Sequence, residues 1–217
     1  MRIVDVIQGS EAWEHWRNRP TASEFHSFVT PAKGQYSASA TAYAAKIVAK
    51  RLRVYTEPPP TWAMERGTEL EPSAKLAYTK QTGREVTDVG FIIPDNTDAY
   101  GGSPDGLVGE DGGIEVKCPL PERLITWLAD GEMPIEFRPQ VQGLLLISGR
   151  KWWDFVGFDP SLPLLIVRIE PDLDYQEKIA ECLLPLLKEI ERIESRVSLV
   201  RHEVLVESAR KDSVKWD

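Results

Sequence analysis

Cysteine is scarce in this chain: Cys118 and Cys182 are the only two in 217 residues. Two thiols cannot build a disulfide framework, a four-cysteine zinc site or a four-thiolate iron–sulfur cluster. The expectation is a reduced, cytoplasmic protein with two inert cysteines. Histidine is almost as rare. His15, His26 and His202 show no metal-ligand spacing and read as structural or surface residues. Long apolar runs are missing too. The longest, 143–147, is far below the roughly 18 residues that a membrane helix needs. The first residues, Met1 to Asp5, have no apolar signal-like core, so no membrane association is expected. There is no repeat and no low-complexity tract, and the only linker-like stretch is Glu57-Pro58-Pro59-Pro60, a stiff extended connector. A net basic charge is also lacking: the formal charge is −8, which argues against a protein that simply coats nucleic acid.

What is present is an ordinary globular composition, 42% hydrophobic and 28% charged, which excludes wholesale disorder. The length suits one domain spanning 1–217, with a helical N-terminal part (1–56), a core (61–170) and a C-terminal helix and tail (171–217). Charge is unevenly spread. Residues 1–53 carry eight Lys/Arg against four Asp/Glu, whereas 54–169 carry ten against eighteen. A basic first quarter beside an acidic middle suits a polyanion-gripping surface next to a metal-binding carboxylate cluster.

The local patterns predict a mixed α/β fold. Ser10 caps a short helix that Pro20 ends, and Thr21 with Glu24 forms a capping-box pattern for a second. Alanine-rich 39–53 and then 62–81 read as helices, the latter closed by Gly83 and kinked or restarted at Pro72. Strands are expected at 84–93, 100–108 and 113–118, the last two joined by the hairpin signal Gly109-Glu110-Asp111-Gly112. Helices follow at 121–129 and 135–147, strands at 151–158 and 164–169, and an amphipathic helix at 174–197 that contains Pro185. The segment from Arg201 has no clear assignment. This order describes a mixed central sheet flanked by helices.

Chemistry concentrates in Ser103-Pro104-Asp105-Gly106 and, after a turn, Glu115-Val116-Lys117. Each half alone is ordinary: the first is a common turn sequence and the second a plain alternating strand. In order, with a hairpin between them, they imply more. Residues i and i+2 of a strand share a face, so Glu115 and Lys117 project together while Val116 points inward. The hairpin brings Asp105 near Glu115. Two carboxylates and the Val116 carbonyl are hard oxygen donors suited to Mg²⁺. Lys117 beside them can orient or deprotonate a water, or stabilise developing charge.

These residues resemble the restriction-endonuclease-like superfamily, whose motif is an Asp, a spacer and a Glu-x-Lys strand. The chain is more closely similar to the lambda exonuclease family of alkaline viral recombination nucleases. The likeness is carried by residues 13–17, Thr21-Ala22-Ser23-Glu24, Ser103-Pro104-Asp105-Gly106, Glu115-Val116-Lys117-Cys118-Pro119 and Gln140-Val141-Gln142, and runs from about Gln8 to the 164–169 strand. The resemblance implies a restriction-endonuclease-like α/β core. It implies Asp105, Glu115 and the Val116 carbonyl as metal ligands, Lys117 as catalytic lysine, and Glu71, preferred to Glu69, near the metal. It also implies that Gln142 lies beside the active site, and that Arg17, Ser23, Ser103 and Gln142 form a pocket for a 5′-phosphate. The chain is one residue shorter than the lambda enzyme between Arg17 and Thr21 and holds a second arginine, Arg19; Arg17 is preferred.

The implied activity is a Mg²⁺-dependent (or Mn²⁺-dependent) 5′→3′ exonuclease on linear double-stranded DNA. It would release 5′-mononucleotides and leave a 3′ overhang for phage recombination. A ring-shaped homotrimer, a phage single-strand annealing protein as partner and the host bacterial cytoplasm come with the resemblance. Rival readings are an endonuclease on the same fold, a catalytically silent DNA-binding phage protein, and a two-carboxylate sugar hydrolase. The last leaves Lys117 and the basic first quarter unexplained. Lys33, Lys46, Lys50, Arg51 and Arg53 are candidates to follow a duplex backbone. An exposed tryptophan could stack on a terminal base pair.

Overall fold

The computed structural model describes residues 1–213, with side chains through Val200. Four strands make a mixed sheet in the order β3–β4–β5–β6, namely Gly106–Val108, Gly112–Lys117, Trp152–Gly157 and Leu165–Ile169. β3/β4 and β5/β6 are antiparallel, while β4/β5 are parallel. A separate ribbon pairs β1 (Arg2–Val4) with β2 (Phe91–Ile93). Helix α1 spans Glu11–Trp16, α2 Ala40–Arg51, α3 Trp62–Thr82, α4 Pro121–Asp130, α5 Arg138–Ser148 and α6 Leu173–Ser213. This is the mixed sheet flanked by helices that the sequence predicts.

Strand alternation divides the core in two. Ile114, Val116 and Val156 pack against Ala74 and Tyr78 of α3. Trp153 and Phe155 face the opposite way, into a larger cluster with Phe25 and Phe28, α2, α5 and the first half of α6. The sheet is thus covered on both faces. The hairpin between β3 and β4 turns at Gly109, whose φ of +54° favours glycine. The register pairs Val108 with Gly112 and leaves three residues in the loop. Gly113 is a close-approach site. A Cβ there would lie 2.5 Å from the fully buried ring of Trp153, which cannot move aside in a close-packed interior. Gly113→Ala is therefore expected to destabilise the fold by ~1–3 kcal/mol, measured as a lower urea midpoint at unchanged m-value.

Several boundaries differ from the sequence expectation for identifiable reasons. The 84–93 stretch is β-rich but lacks a continuous neighbour. Only Phe91–Ile93 is strand, with a lone bridge from Thr87 to Leu107. In 100–108 only Gly106–Val108 is strand; Gly101 and Gly102 make single bridges to Thr21 and Ile92. The Thr21/Glu24 capping box does not form. Residues Ala22–Ser27 make a 3-10 turn without a side-chain cap, and Glu24 turns instead to Lys46 at 3.0 Å. Ser10 does cap α1, accepting from the Trp13 backbone N–H at 3.2 Å. Helix α3 runs through Pro72 without a restart and ends at Gly83 with φ +69°. The 135–147 helix starts later, at Arg138, behind a 3-10 turn at Ile135–Phe137. Helix α6 extends to Ser213, and residues 214–217 of the unassigned tail lie outside the described residues. Among the described residues no helix is long and apolar enough to cross a membrane.

Candidate active site

The β3–β4 hairpin sets the geometry of the acidic centre. Asp105 precedes β3 and turns back onto β4, where its Oδ2 accepts the Val116 backbone N–H at 2.6 Å. Glu115 and Lys117 share one face of β4, and Lys117 Nζ donates to Glu115 Oε1 at 2.6 Å. Glu115 is only 2% exposed. Its Oε1 also accepts from Gln140 Nε2 at 2.6 Å, whereas its buried Oε2 has no hydrogen-bond partner. Glu71 reaches the centre from α3. It lies on the helix face of Ala74 and Tyr78, the residues that pack on the sheet, and pairs with Lys75 at 2.7 Å. Glu69 is exposed. A cleft of about 570 Å³ opens here, lined by Glu71, Asp105, Lys117, Arg66, Trp127 and Phe137 among others.

The electrostatics follow from this crowding. Burial, and then the neighbouring Glu115 charge, push the Asp105 carboxyl well above the usual carboxylate range. Burial likewise raises Glu115, against the opposing pull of Lys117. Burial alone would pull Lys117 down, but Glu115 and Asp105 outweigh it and hold the ammonium above its ordinary value. Lys117 is therefore a charged donor in this arrangement.

This donor set fits a divalent cation. Two desolvated carboxylates repel one another, and one oxygen is buried with nothing to bond; a cation would relieve both penalties. Among the described residues no group of three or more His, Cys, Asp or Glu side chains could hold a metal alone. The fit is therefore two carboxylates with a backbone carbonyl, which suits an ion that keeps several waters.

A second cluster lies two residues upstream of Asp105. Ser103 Oγ accepts from Trp13 Nε1 at 2.7 Å. The Arg17 guanidinium stacks over the same Trp13 ring at 4.4 Å, paired with Glu14 at 3.2 Å. Thr21 and Ala22 run beside Gly101, two residues before Ser103, and exposed Ser23 follows them at the start of the 3-10 turn, its hydroxyl 3.4 Å from Thr21 Oγ1. Arg17, Ser23 and Ser103 thus belong to neighbouring segments. Arg19 faces elsewhere, donating to the carbonyls of Trp16 and Asp98.

Gln142 does not join either cluster. It is 3% exposed, and both ends of its amide are occupied. Nε2 donates to the Glu170 carbonyl at 2.9 Å, while Oε1 accepts from Asp172 N and Gln176 Nε2. The glutamine beside the carboxylates is Gln140. Two residues along a helix amount to about 200° of rotation, so one glutamine faces the centre and the other the β6–α6 junction. Arg66, which carries no sequence signal, grips the end of β4. It donates to the carbonyls of Cys118 and Pro119 at 2.7 and 2.8 Å and to Asp159 at 2.5 Å. Of the basic candidates, Lys46, Lys50 and Arg51 are paired with Glu24, Glu57 and Glu194. Trp62 is the exposed tryptophan near the cleft, at the start of α3.

The family model described as a YqaJ-like viral recombinase domain matches residues 12–151. No curated protein sequence matches the chain. Among solved structures, an alkaline exonuclease (LHK-Exo) from Laribacter hongkongensis is 35% identical. The match covers 88% of this chain and 100% of that one, with a TM-score of 0.75. The same exonuclease in complex with dAMP matches at 34% identity over the same shares, with a TM-score of 0.74. A phage-related exonuclease from Haemophilus somnus 129PT shares the fold at 16% identity, with a TM-score of 0.64 over 82% of this chain and 96% of that one. By its matched span, its fold and its acidic β-hairpin, the chain belongs to the YqaJ-like viral recombinases of the lambda exonuclease family.

Proposed function

We propose that this nuclease is a Mg²⁺-dependent 5′→3′ exonuclease acting on linear double-stranded DNA, which releases 5′-mononucleotides and leaves a 3′ overhang for recombination. The observation that carries the reading is the bare, buried Oε2 of Glu115 beside Asp105 and Lys117. Asp105, Glu115 and the Val116 carbonyl would hold Mg²⁺, with Mn²⁺ as an alternative. Such an ion, when bound, lowers the pKa of a water and neutralises charge on a phosphoryl oxygen. Lys117 supplies a fixed positive charge and N–H donors where the pentavalent phosphate would gain negative charge. Glu71 adds a carboxylate at the wall of the cleft.

Polarity would come from the second cluster. Arg17, Ser23 and Ser103 offer a guanidinium and two hydroxyls, donors suited to a terminal 5′-phosphate. Gln142 is buried and bonded to Glu170, Asp172 and Gln176 at the β6–α6 junction, so the pocket is assigned to the other three. The dAMP complex of the Laribacter relative supports a mononucleotide product. A ring homotrimer, a single-strand annealing partner and action in the host cytoplasm rest on family likeness and complete the reading.

The test is digestion of linear duplex carrying 5′-phosphate or 5′-hydroxyl ends, in Mg²⁺ and in EDTA, with a closed circle alongside. The expected result is Mg²⁺-dependent release of 5′-mononucleotides from the linear DNA only. Arg17→Ala should erase the preference for phosphorylated ends, about a tenfold or larger loss on those ends for one charge-assisted contact. Cutting of the circle would replace the exonuclease with an endonuclease, and binding without cutting would leave a silent fold.

A further inference from the structure

We infer that the hollow between the end of α1 and the C-terminal end of α2 binds a backbone phosphate of the DNA through Arg19, Arg51 and Arg53, apart from the acidic centre and the Arg17 cluster. The inference rests on the reading that duplex DNA is the substrate and goes beyond it, since it needs neither the metal nor the 5′→3′ polarity. Three observations carry it. The hollow has a volume of about 340 Å³, and the three arginines line it together with His15 and Asn18. Its cations exceed its carboxylates. Asp98 and Glu194 also line it, but Asp98 pairs with Arg2 and Glu194 with Arg51. Arg19 donates to two backbone carbonyls instead, and exposed Arg53 forms no ion pair among the described residues. Lastly, Arg53 is the one residue other than glycine with a positive φ, +57°, among the described residues.

Gathering like charges is unfavourable unless something offsets it. Burial pulls the Arg19 guanidinium below its ordinary value, and neighbouring Arg51 adds to that pull against Asp98. A bound anion would relieve both effects. Guanidinium forks match the oxygens of a phosphate, and His15 and Asn18 add N–H donors. Arg53 shows that the cation is placed at a cost. It follows the last turn of α2, where its N–H bonds the Lys50 carbonyl and the Val54 N–H bonds the Ala49 carbonyl, each at 3.0 Å. This is the left-handed helix ending that glycine usually takes. Complementing the helix C-terminus does not call for arginine here, because Lys50 and Arg51 already do so from the last turn. A strained residue of this kind points to a task for its side chain. The position favours the substrate's own phosphates. Arg17 lies between His15 and Arg19 in the chain but opens on a different side, beside Lys46 and Lys50 of α2. Helix α2 thus runs from the Arg17 side to the hollow at Arg53.

The experiment measures binding of a duplex with 5′-hydroxyl ends, in Ca²⁺ and over a series of salt concentrations, so that no terminal phosphate contributes. Arg53→Gly removes the cation and suits the left-handed backbone. Lys151→Ala is the control; it removes an exposed cation that pairs with Asp111 of the β3–β4 turn. The expected result for Arg53→Gly is weaker binding at low salt and a slope of log affinity against log salt that is shallower by about 0.9, the loss of one phosphate contact. Its melting temperature should be no lower than that of the wild type, and its cleavage should keep the preference for 5′-phosphorylated ends. Lys151→Ala should leave the slope unchanged. An unchanged slope in Arg53→Gly, or an equal fall in Lys151→Ala, would overturn the inference. So would a melting temperature raised by inorganic phosphate or dAMP in the wild type but not in Arg53→Gly, at unchanged slope, because the hollow would then take a small phosphate and not the DNA. Failure of the wild type to bind the duplex at all would defeat the reading of DNA as substrate.

Discussion

Lys117→Ala is expected to lower the single-turnover rate of duplex cleavage by about 10³-fold, within the range that positioned acid–base and charge-stabilising groups supply. The side chain sits 2.6 Å from Glu115 Oε1, and the carboxylates around it keep it charged. Alanine removes the only cation bonded to Glu115 among the described residues and leaves that buried carboxylate beside the half-buried Asp105. Substrate binding should change far less, because the Arg17 cluster lies outside this contact. The rate is measured at saturating enzyme in Mg²⁺. DNA affinity is measured in Ca²⁺, a hard cation that accepts the same oxygen donors. A variant within tenfold of wild type would remove Lys117 from the chemistry. Glu115→Gln should be as severe, because a neutral amide presents one oxygen and no charge to the cation.

The acidic centre was legible because its grammar is local. A strand has period two, so Glu115 and Lys117 had to share a face. A glycine-rich hairpin had to return the chain, so Asp105 had to come near them. Helix α3 was legible for the same kind of reason: Thr61 accepts from the Met64 N–H at its start, and Gly83 takes a left-handed conformation at its end. The ribbon strand β1 was not legible. Three residues with mostly exposed side chains carry no alternation to read, and their partner lies some ninety positions away. β-propensity over-extended 84–93 because it reports what a pleated surface would accept, not whether a neighbouring strand exists.

The two glutamines show where local grammar stops. Gln140 and Gln142 look equivalent in sequence, and apolar Val141, Leu144 and Leu145 only identify the side of α5 that is buried. Which glutamine meets Glu115 depends on the parallel pairing of β4 with β5. That pairing makes α5 run back against the sheet and puts its first turn over the end of β4. A non-local fact decides it, and no window on the sequence contains that fact. Arg66 was invisible for a similar reason. Its partners are backbone carbonyls at 118 and 119 and a carboxylate at 159, contacts without a residue-type signature.

Asp154→Ala is expected to be the most destabilising single change outside the apolar core, at about 3 kcal/mol. Asp154 is 1% exposed on β5. Its two oxygens take Nε and Nη2 of Arg168 from β6, each at 2.8 Å, and the Tyr78 hydroxyl from α3 at 2.7 Å. The Arg168 guanidinium also lies 3.8 Å over the Trp152 ring. Burial, reinforced by the nearby carboxylate, pushes the Tyr78 phenol far up, so it stays a donor across the working pH range. Removing the carboxylate strands that buried hydroxyl and the inner side of Arg168. Because Arg168 remains 39% exposed, water recovers part of the loss, which keeps the expected cost at the low end for a broken buried pair. For a chain of this size the melting temperature should fall by roughly 6–12 °C, at about 2–4 °C per kcal/mol. Tyr78→Phe removes one donor and leaves the ion pair intact, so it should cost only about 1 kcal/mol. The network also bears on the active site. Tyr78 stands two turns along the α3 face that carries Glu71, so the same bonds that fix α3 to β5 hold Glu71 against the cleft. Cleavage by the Asp154→Ala protein, assayed well below its melting point, should therefore fall several-fold beyond any loss of folded protein. Full activity per folded molecule would separate the clamp from the site and leave Asp154 with a purely structural part.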